Sequence, residues 1–361
     1  MNKDAKIYVA GHRGLVGSAI ERNLRAKGYT NIITRTHSQL DLTDQRATAE
    51  FFAAERPEYV FVAAAKVGGI MANNTYRAQF IYENIILAAN VIHQAYQSGV
   101  KKLLFLGSTC IYPRDAQQPM AEDALLTSPL EYTNEPYAIS KIAGLKMCES
   151  YNMQYGTNFI AVMPTNLYGP GDNFDLEKSH VLPAMLRKFH LGKCLMEGNM
   201  EALRQDFNCR PVEGVDGSNI DAVIEKMNKY GVTESSVEIW GTGTPLREFL
   251  WSEDMADASV FVMENVDWTD LCSGMTEPRN CHINIGTGKE LSIGELAKLI
   301  AEKVDYKGEI VFNTSKPDGT PRKLTDPSKL HNLGWQHKIE LPEGVEKLYE
   351  IYTTGLTAAG R

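Results

Sequence analysis

The sequence predicts an α/β fold: a doubly wound parallel sheet with a smaller α+β region after it. Three observations predict it. Short continuous apolar runs alternate with helical patterns through the first half. A glycine-rich turn follows the first run and opens the first helix. Beyond about residue 166 the alternation breaks into short strands punctuated by glycine and proline. With 361 residues, 43% of them hydrophobic and 23% charged, the chain is globular and long enough for two domains.

The elements follow in order. Lys6 to Ala10 is the first buried strand. Between Leu15 and Arg25, positions 16, 19, 20 and 24 repeat with helical period. Ile32 and Ile33 sit in a second short strand, and Tyr59 to Ala65 is a third. Phe80 to Ser98 is a long helix, Lys102 to Leu106 a strand, Ile139 to Tyr155 a helix, and Phe159 to Met163 a strand. This half, residues 1–165, is expected to be the cofactor domain of Rossmann type, with segments near 252–265 and 281–287 returning to it. Residues 166–361 are expected to form the substrate region. Within it, 195–236 reads as an insertion carrying one amphipathic helix flanked by polar loops. Ile220, Val223, Ile224 and Met227 make its stripe, Ser218 or Asn219 its cap and Gly231 its end. It is either a surface projection or a lid or oligomer contact.

Composition excludes several classes. Lysine plus arginine total 37 against 45 acidic residues, a formal charge of −8, which disfavours non-specific nucleic-acid binding. No apolar run reaches the roughly 18–20 residues that span a bilayer, and the start reads as strand rather than secretory signal. The six cysteines (110, 148, 194, 209, 272 and 281) include no C-x-x-C pair. No metal site is expected, and a reduced cytoplasm fits best.

Gly11-His12-Arg13-Gly14-Leu15-Val16-Gly17 reads G-x-x-G-x-x-G between a strand and a helix. Glycines let the backbone approach a pyrophosphate, and the helix N-terminus supplies donors and positive potential. An acidic residue ending the second strand would favour NAD; here Arg35 stands near that place, with Arg13 as a second cation. NADP(H) is therefore expected, with Asp41 and Leu42 beside the adenine.

Tyr137 and Lys141 are spaced i, i+4, on one helix face, and Pro136 suits a first turn. An ammonium and a cationic nicotinamide near a phenol are expected to lower its pKa, so that it exchanges a proton with a sugar oxygen. Ser108 follows the KLLFLG strand and can hold the same oxygen.

The glycine loop, Ser108 and the Y-x-x-x-K pair together resemble the short-chain dehydrogenase/reductase superfamily, in its extended branch acting on nucleotide sugars. Further runs narrow this: Ala64–Ile70, Ala72–Tyr76, Gly107–Pro113, Asn134–Gly144, Met163–Pro170 and Lys316–Lys323. They resemble the GDP-4-keto-6-deoxy-D-mannose 3,5-epimerase-4-reductases over nearly the whole chain, except the insertion. The resemblance implies epimerisation at C3 and C5, then NADPH-dependent reduction at C4. It implies that Cys110 and His180 serve as the acid and base of epimerisation, without saying which is which. It also implies that Leu106, Gly107, Ser108 and Thr109 hold the cofactor, that Lys141 holds the nicotinamide ribose, and that Pro164, Thr165, Asn166 and Leu167 line the nicotinamide end, with His180 nearby. Asn166, Lys188, Trp240, Arg247 and Asp318 would contact the GDP-sugar. The pattern commonly has arginine where Lys188 and His37 stand here. Lysine loses the bidentate fork and histidine is only partly charged at pH 7. A homodimer through the helices 80–98 and 139–155 is expected. Another epimerase or ketoreductase of the superfamily, and a non-catalytic NADP-sensing regulator, are the alternatives.

Overall fold

The computed structural model describes residues 1–359 and divides into two units. The first comprises Met1–Leu167, Glu248–Lys289 and Lys323–Lys338. Its centre is a six-stranded parallel sheet in the order Ile283–Ile285, Phe159–Pro164, Lys102–Leu106, Tyr59–Val62, Ile7–Ala10, Ile32–Ile33. The chain reverses direction across the sheet on either side of Ile7–Ala10, so the carboxyl end of that strand is a topological switch point.

The strands read as continuous apolar runs because both faces are covered. Side chains alternate between two cores. Tyr8, Ala10, Val60, Val62, Leu103, Phe105, Phe159 and Met163 point to one face. Phe51 and Phe52 of helix Gln45–Glu55, Val91 and Ile92 of Arg77–Gln97, and Leu145 of Glu135–Tyr155 cover it. Ile7, Val9, Phe61, Leu104, Ile160, Val162 and Ile283 point to the other, beneath Ile20 and Leu24 of Leu15–Ala26 and Val260 of Ser252–Asn265. Each of the Val, Leu, Ile, Phe and Met side chains among them contributes about 1.5–3 kcal/mol on burial. Lys102 is the exception inside a strand. Its ammonium is saturated by the carbonyls of Val262, Met263 and Val266 and by Asp267, which lets it lie buried.

The second unit comprises Tyr168–Arg247, Glu290–Arg322 and Ile339–Arg361, with residues 360–361 outside the described range. Strands Ser236–Trp240 and Glu309–Asn313 pair in parallel, and Leu246–Arg247 pairs antiparallel with Leu291–Ser292. Helices Val181–Met196 and Ile293–Val304 pack with them, and Leu341–Ala359 packs on Ile293–Val304.

The insertion corrects one expectation. Helix Ile220–Lys229 is present, capped by Asn219, whose side chain accepts from the amides of Asp221 and Ala222, and Gly231 follows with φ +75°. The segment before it is no loop, however: Met200–Cys209 is a second helix. Met200, Leu203 and Phe207 do fall at helical spacing, but only Leu203 and Phe207 of them are buried, and the third buried residue is Asp206. Asp206 is held by the fully buried guanidinium of Arg187 (2.9 and 2.7 Å) and by the hydroxyl of Tyr352. A charged contact 19 residues away therefore anchors the helix.

Candidate active site

The glycine loop leaves strand Ile7–Ala10 at its carboxyl end. Gly11 has φ +83°, and a Cβ there would lie 2.6 Å from the Ala64 amide nitrogen. At Gly17 a Cβ would lie 2.2 Å from the Gly11 carbonyl oxygen. Both positions therefore exclude any side chain, whereas a Cβ at Gly14 would make only an ordinary 3.5 Å contact. Gly14 is the N-cap of Leu15–Ala26 and makes no side-chain cap, so the first amides, through Leu15, Val16 and Gly17, remain for an anion. His12 carries a buried Nδ1 without a hydrogen-bond partner. The cradle fits a dinucleotide pyrophosphate.

The cations expected at a 2′-phosphate are disposed differently. Arg13 is exposed. Arg35 is committed elsewhere: its guanidinium donates to Glu55 Oε1 (2.5 Å) and to the Thr34 carbonyl (2.8 Å), and lies 5.4 Å from the Phe51 ring. His37 is exposed, 3.9 Å from Asp41. Asp41 Oδ1 accepts from the amide and hydroxyl of Thr43 (2.9 and 2.7 Å), which hold its carboxyl below the usual carboxylate range. Leu42 is buried beside it.

Strands Lys102–Leu106 and Phe159–Pro164 end on the same edge. Beyond the first, Gly107 donates to the Val162 carbonyl (2.8 Å). Ser108 caps the turn Thr109–Ile111, its Oγ accepting from the Cys110 amide (3.3 Å). Cys110 is buried; burial pushes its thiol pKa up, opposed by the positive charges of Lys323 and Lys141 and by the Ser108 hydrogen bond. Beyond the second strand, Thr165 is buried and Asn166 is exposed, with Leu167 between them and the next segment.

Helix Glu135–Tyr155 carries Tyr137 and Lys141 to this turn. It approaches the sheet closely at Gly144, where a Cβ would lie 2.3 Å from the Phe105 ring. Lys141 is buried, and its ammonium donates to the Leu106 carbonyl (2.8 Å), 5.6 Å from the centroid of Tyr137. Burial lowers its pKa to about 8. Tyr137 packs edge-on against Phe80 at 6.4 Å. Contrary to the expectation drawn from the i, i+4 spacing, its phenol pKa is raised rather than lowered. Desolvation pushes it up, because the ammonium is spent on a carbonyl rather than on the phenol.

The second unit holds the remaining candidates. His180 is the exposed N-cap of helix Val181–Met196, with extended backbone. Lys188 is buried, donates to the Glu238 carbonyl (3.0 Å) and has its pKa lowered to about 8 by burial. Trp240 is 54% exposed, enough to stack on a ligand. Arg247 is half-buried and donates to the carbonyls of Leu246 (2.7 Å) and Thr320 (2.6 Å). Asp318 accepts from the amide and hydroxyl of Thr242 (2.9 and 2.8 Å). Asp318 holds Thr242, two residues past Trp240, and Arg247 reaches the Thr320 carbonyl, so Trp240, Arg247 and Asp318 share one loop cluster.

Two residues escaped the sequence reading. Lys316 stands 5.3 Å over the Trp240 ring, within the cation–π range. Glu248 is wholly buried; the signal was a carboxylate followed directly by the apolar run Phe249–Trp251.

Comparison with known proteins places these features. Residues 7–207 and 209–286 match the model of the NAD dependent epimerase/dehydratase family. The GDP-L-fucose synthase of Escherichia coli is 50% identical, covering 96% of each chain. GDP-L-fucose synthase 1 of Arabidopsis thaliana is also 50% identical, over 97% of this chain and 94% of its own. A solved GDP-mannoheptose C4 reductase from Campylobacter jejuni, with NADP bound, superposes with a TM-score of 0.87 at 46% identity, over 98% of this chain and 99% of its own.

Proposed function

The chain belongs to the NAD dependent epimerase/dehydratase family, and we propose that within it the protein inverts C3 and C5 of GDP-4-keto-6-deoxy-D-mannose and reduces C4 to give GDP-L-fucose. The observation that carries this reading is the grouping of Ser108, Cys110, Tyr137 and Lys141 around one turn at the carboxyl edge of the sheet, beside a glycine cradle. Relatives half identical over nearly their full length bear the corresponding names.

A ketone at C4 acidifies the hydrogens on C3 and C5, and loss of either leaves negative charge on the C4 oxygen. Tyr137 and Ser108 donate to that oxygen and stabilise it. Cys110 and His180 serve as the acid and base of epimerisation. NADPH, when bound, supplies the hydride that reduces C4. Tyr137 then delivers its proton to the resulting alkoxide, so one set of donors serves all three steps. Desolvation already holds that phenol protonated, as an acid must be at the start. Lys141 holds the nicotinamide ribose. Arg13 and His37, both exposed, would hold the 2′-phosphate, since Arg35 is engaged with Glu55. Arg247, Lys188, Trp240 and Asp318 bind the GDP moiety.

A homodimer forms through helices Arg77–Gln97 and Glu135–Tyr155, on which Tyr82, Ile139, Met153 and Tyr155 are exposed apolar side chains. All six cysteines are free, which suits a cytoplasmic protein. No described helix is long and apolar enough to cross a membrane, and the net charge of −8 opposes nucleic-acid binding.

One observation favours a second reading: the 46%-identical C4 reductase acts on a GDP-heptose. The same chemistry would then serve a sugar longer by one carbon at C6. Purified protein incubated with NADPH and either GDP-4-keto-6-deoxymannose or a GDP-4-keto-heptose separates the two. Loss of reduced-nicotinamide absorbance with formation of GDP-L-fucose supports the first reading. Turnover of the heptose alone selects the second, and no NADPH consumption with either sinks both.

A further inference from the structure

We propose that Glu248 is a positioning residue for Asn166, holding that side chain for the GDP-sugar; the proposal rests on the reading of Asn166 as a substrate contact. Glu248 has no solvent exposure, yet every side of its carboxylate is occupied. Oε1 accepts from the amides of Thr287 (2.6 Å) and Gly288 (2.8 Å) and from the Thr287 hydroxyl (3.3 Å). Oε2 accepts from the Thr325 amide (3.0 Å) and hydroxyl (2.6 Å). Its main-chain carbonyl accepts from Asn166 Nδ2 (2.7 Å) and from the Thr165 hydroxyl (3.5 Å). One residue thus ties together three segments distant in sequence.

Those segments are the carboxyl ends of two neighbouring strands and the stretch at Thr325. Phe159–Pro164 runs into Thr165 and Asn166, and Ile283–Ile285 runs into Thr287 and Gly288. The Thr165 amide also donates to the Ile285 carbonyl (3.1 Å). Ligands of open α/β sheets bind at this edge. A carbonyl only accepts, so the Asn166 amide must turn its nitrogen toward Glu248, which leaves Oδ1 as the acceptor for a ligand hydroxyl. The anchor has no slack: a Cβ at Gly286 would lie 2.4 Å from Oε1 and 2.1 Å from the Thr325 hydroxyl. Burying a carboxylate costs several kcal/mol unless donors compensate. An apolar side chain would fill the space without that cost, but it would orient nothing.

The test uses the full chain with NADP bound and GDP-mannose, a non-reacting GDP-hexose, as the probe, with Kd measured by calorimetry. Glu248→Gln turns an NH2 group toward N–H donors. It and Asn166→Ala should each weaken binding about tenfold. The double variant should weaken it no more than about twentyfold, because the second change acts through the first. Thr325→Val removes one donor; it should weaken binding about threefold and lower Tm by a few degrees without unfolding the protein, and it decides the matter if Glu248→Gln does not fold. Amide exchange at 165–167 and 286–289 should accelerate in Glu248→Gln. Effects that multiply to about a hundredfold overturn the proposal, as do single variants that lower only Tm. If the wild type binds no GDP-sugar, the functional reading fails. Exchange then still decides the positioning: acceleration at 165–167 supports it, and unchanged exchange there overturns it.

Discussion

The ammonium of Lys141 donates to the main-chain carbonyl of Leu106 across 2.8 Å, 35 residues earlier in the chain. That bond seats the helix bearing Tyr137 against the turn bearing Ser108 and Cys110. It also explains a cation with little solvent around it, and its depressed pKa has consequences that can be measured.

The folded pKa of Lys141 is about 8, below the roughly 10.4 of an unfolded lysine. Between those values the unfolded chain binds the proton that the folded chain has released, so this group makes stability rise with pH across that window. Lys141→Met should therefore stabilise the cofactor-free protein at pH 7 by about 1–2 kcal/mol, the relief of desolvation exceeding the lost hydrogen bond. Urea unfolding at pH 7 and pH 9.5 should show the gain shrinking at the higher pH. A gain independent of pH would mean that the lysine is not desolvated. The same variant should lose at least about a hundredfold in C4 reduction.

Burial holds the Cys110 thiol above its ordinary pKa, so at pH 7 it is a proton donor rather than a thiolate. Alkylation of Cys110 by iodoacetamide should be slower than that of a free thiol at pH 7 and should begin to rise only at a higher pH than a free thiol's does. Cys110→Ser should lose about a hundredfold or more in deuterium uptake from D2O into the sugar, read by NMR. It should still reduce a ketone whose configuration needs no inversion.

Arg13 is exposed, while Arg35 is bound to Glu55. Arg13→Ala should raise the Kd for NADPH about 10–100-fold and leave that for NADH unchanged, the size of a lost charge-assisted bond to phosphate. Arg35→Ala should lower Tm and change the NADPH/NADH ratio less than threefold, roughly 0.6 kcal/mol. Fluorescence titration with both cofactors distinguishes the two arginines, and the opposite ranking would reassign the 2′-phosphate contact.

The glycines of the loop are not equivalent. Gly17→Ala forces a methyl to 2.2 Å from the Gly11 carbonyl and should destabilise the cofactor-free protein by about 2–3 kcal/mol. Gly14→Ala meets only an ordinary contact, and its stability should stay within about 0.5 kcal/mol of wild type. Thermal unfolding of the two variants checks the ranking.

Much of the fold was legible in the chain because it is written locally. The run Tyr59–Val62 is apolar at every position because both faces of its strand are buried. Leu15–Ala26 opens at Gly14 and closes on Ile20 and Leu24 at helical spacing. The anchor of Met200–Cys209 is not local: its buried Asp206 is held by Arg187, on another helix, which no pattern within the segment encodes.

The sequence by itself determined the parallel α/β unit, the glycine cradle and the shared face of Tyr137 and Lys141. All three depend on neighbours within a few residues, through the period of two or 3.6 and the steric limits of a turn. Only the tertiary structure decided what each cation holds. Arg35 reaches a carboxylate 20 residues away, Lys141 a carbonyl 35 away and Lys188 a carbonyl 50 away. It alone made Glu248 the junction of two strand ends, with its farthest partner 83 residues distant. A buried charge takes whichever partner the fold delivers, and no local pattern encodes that choice.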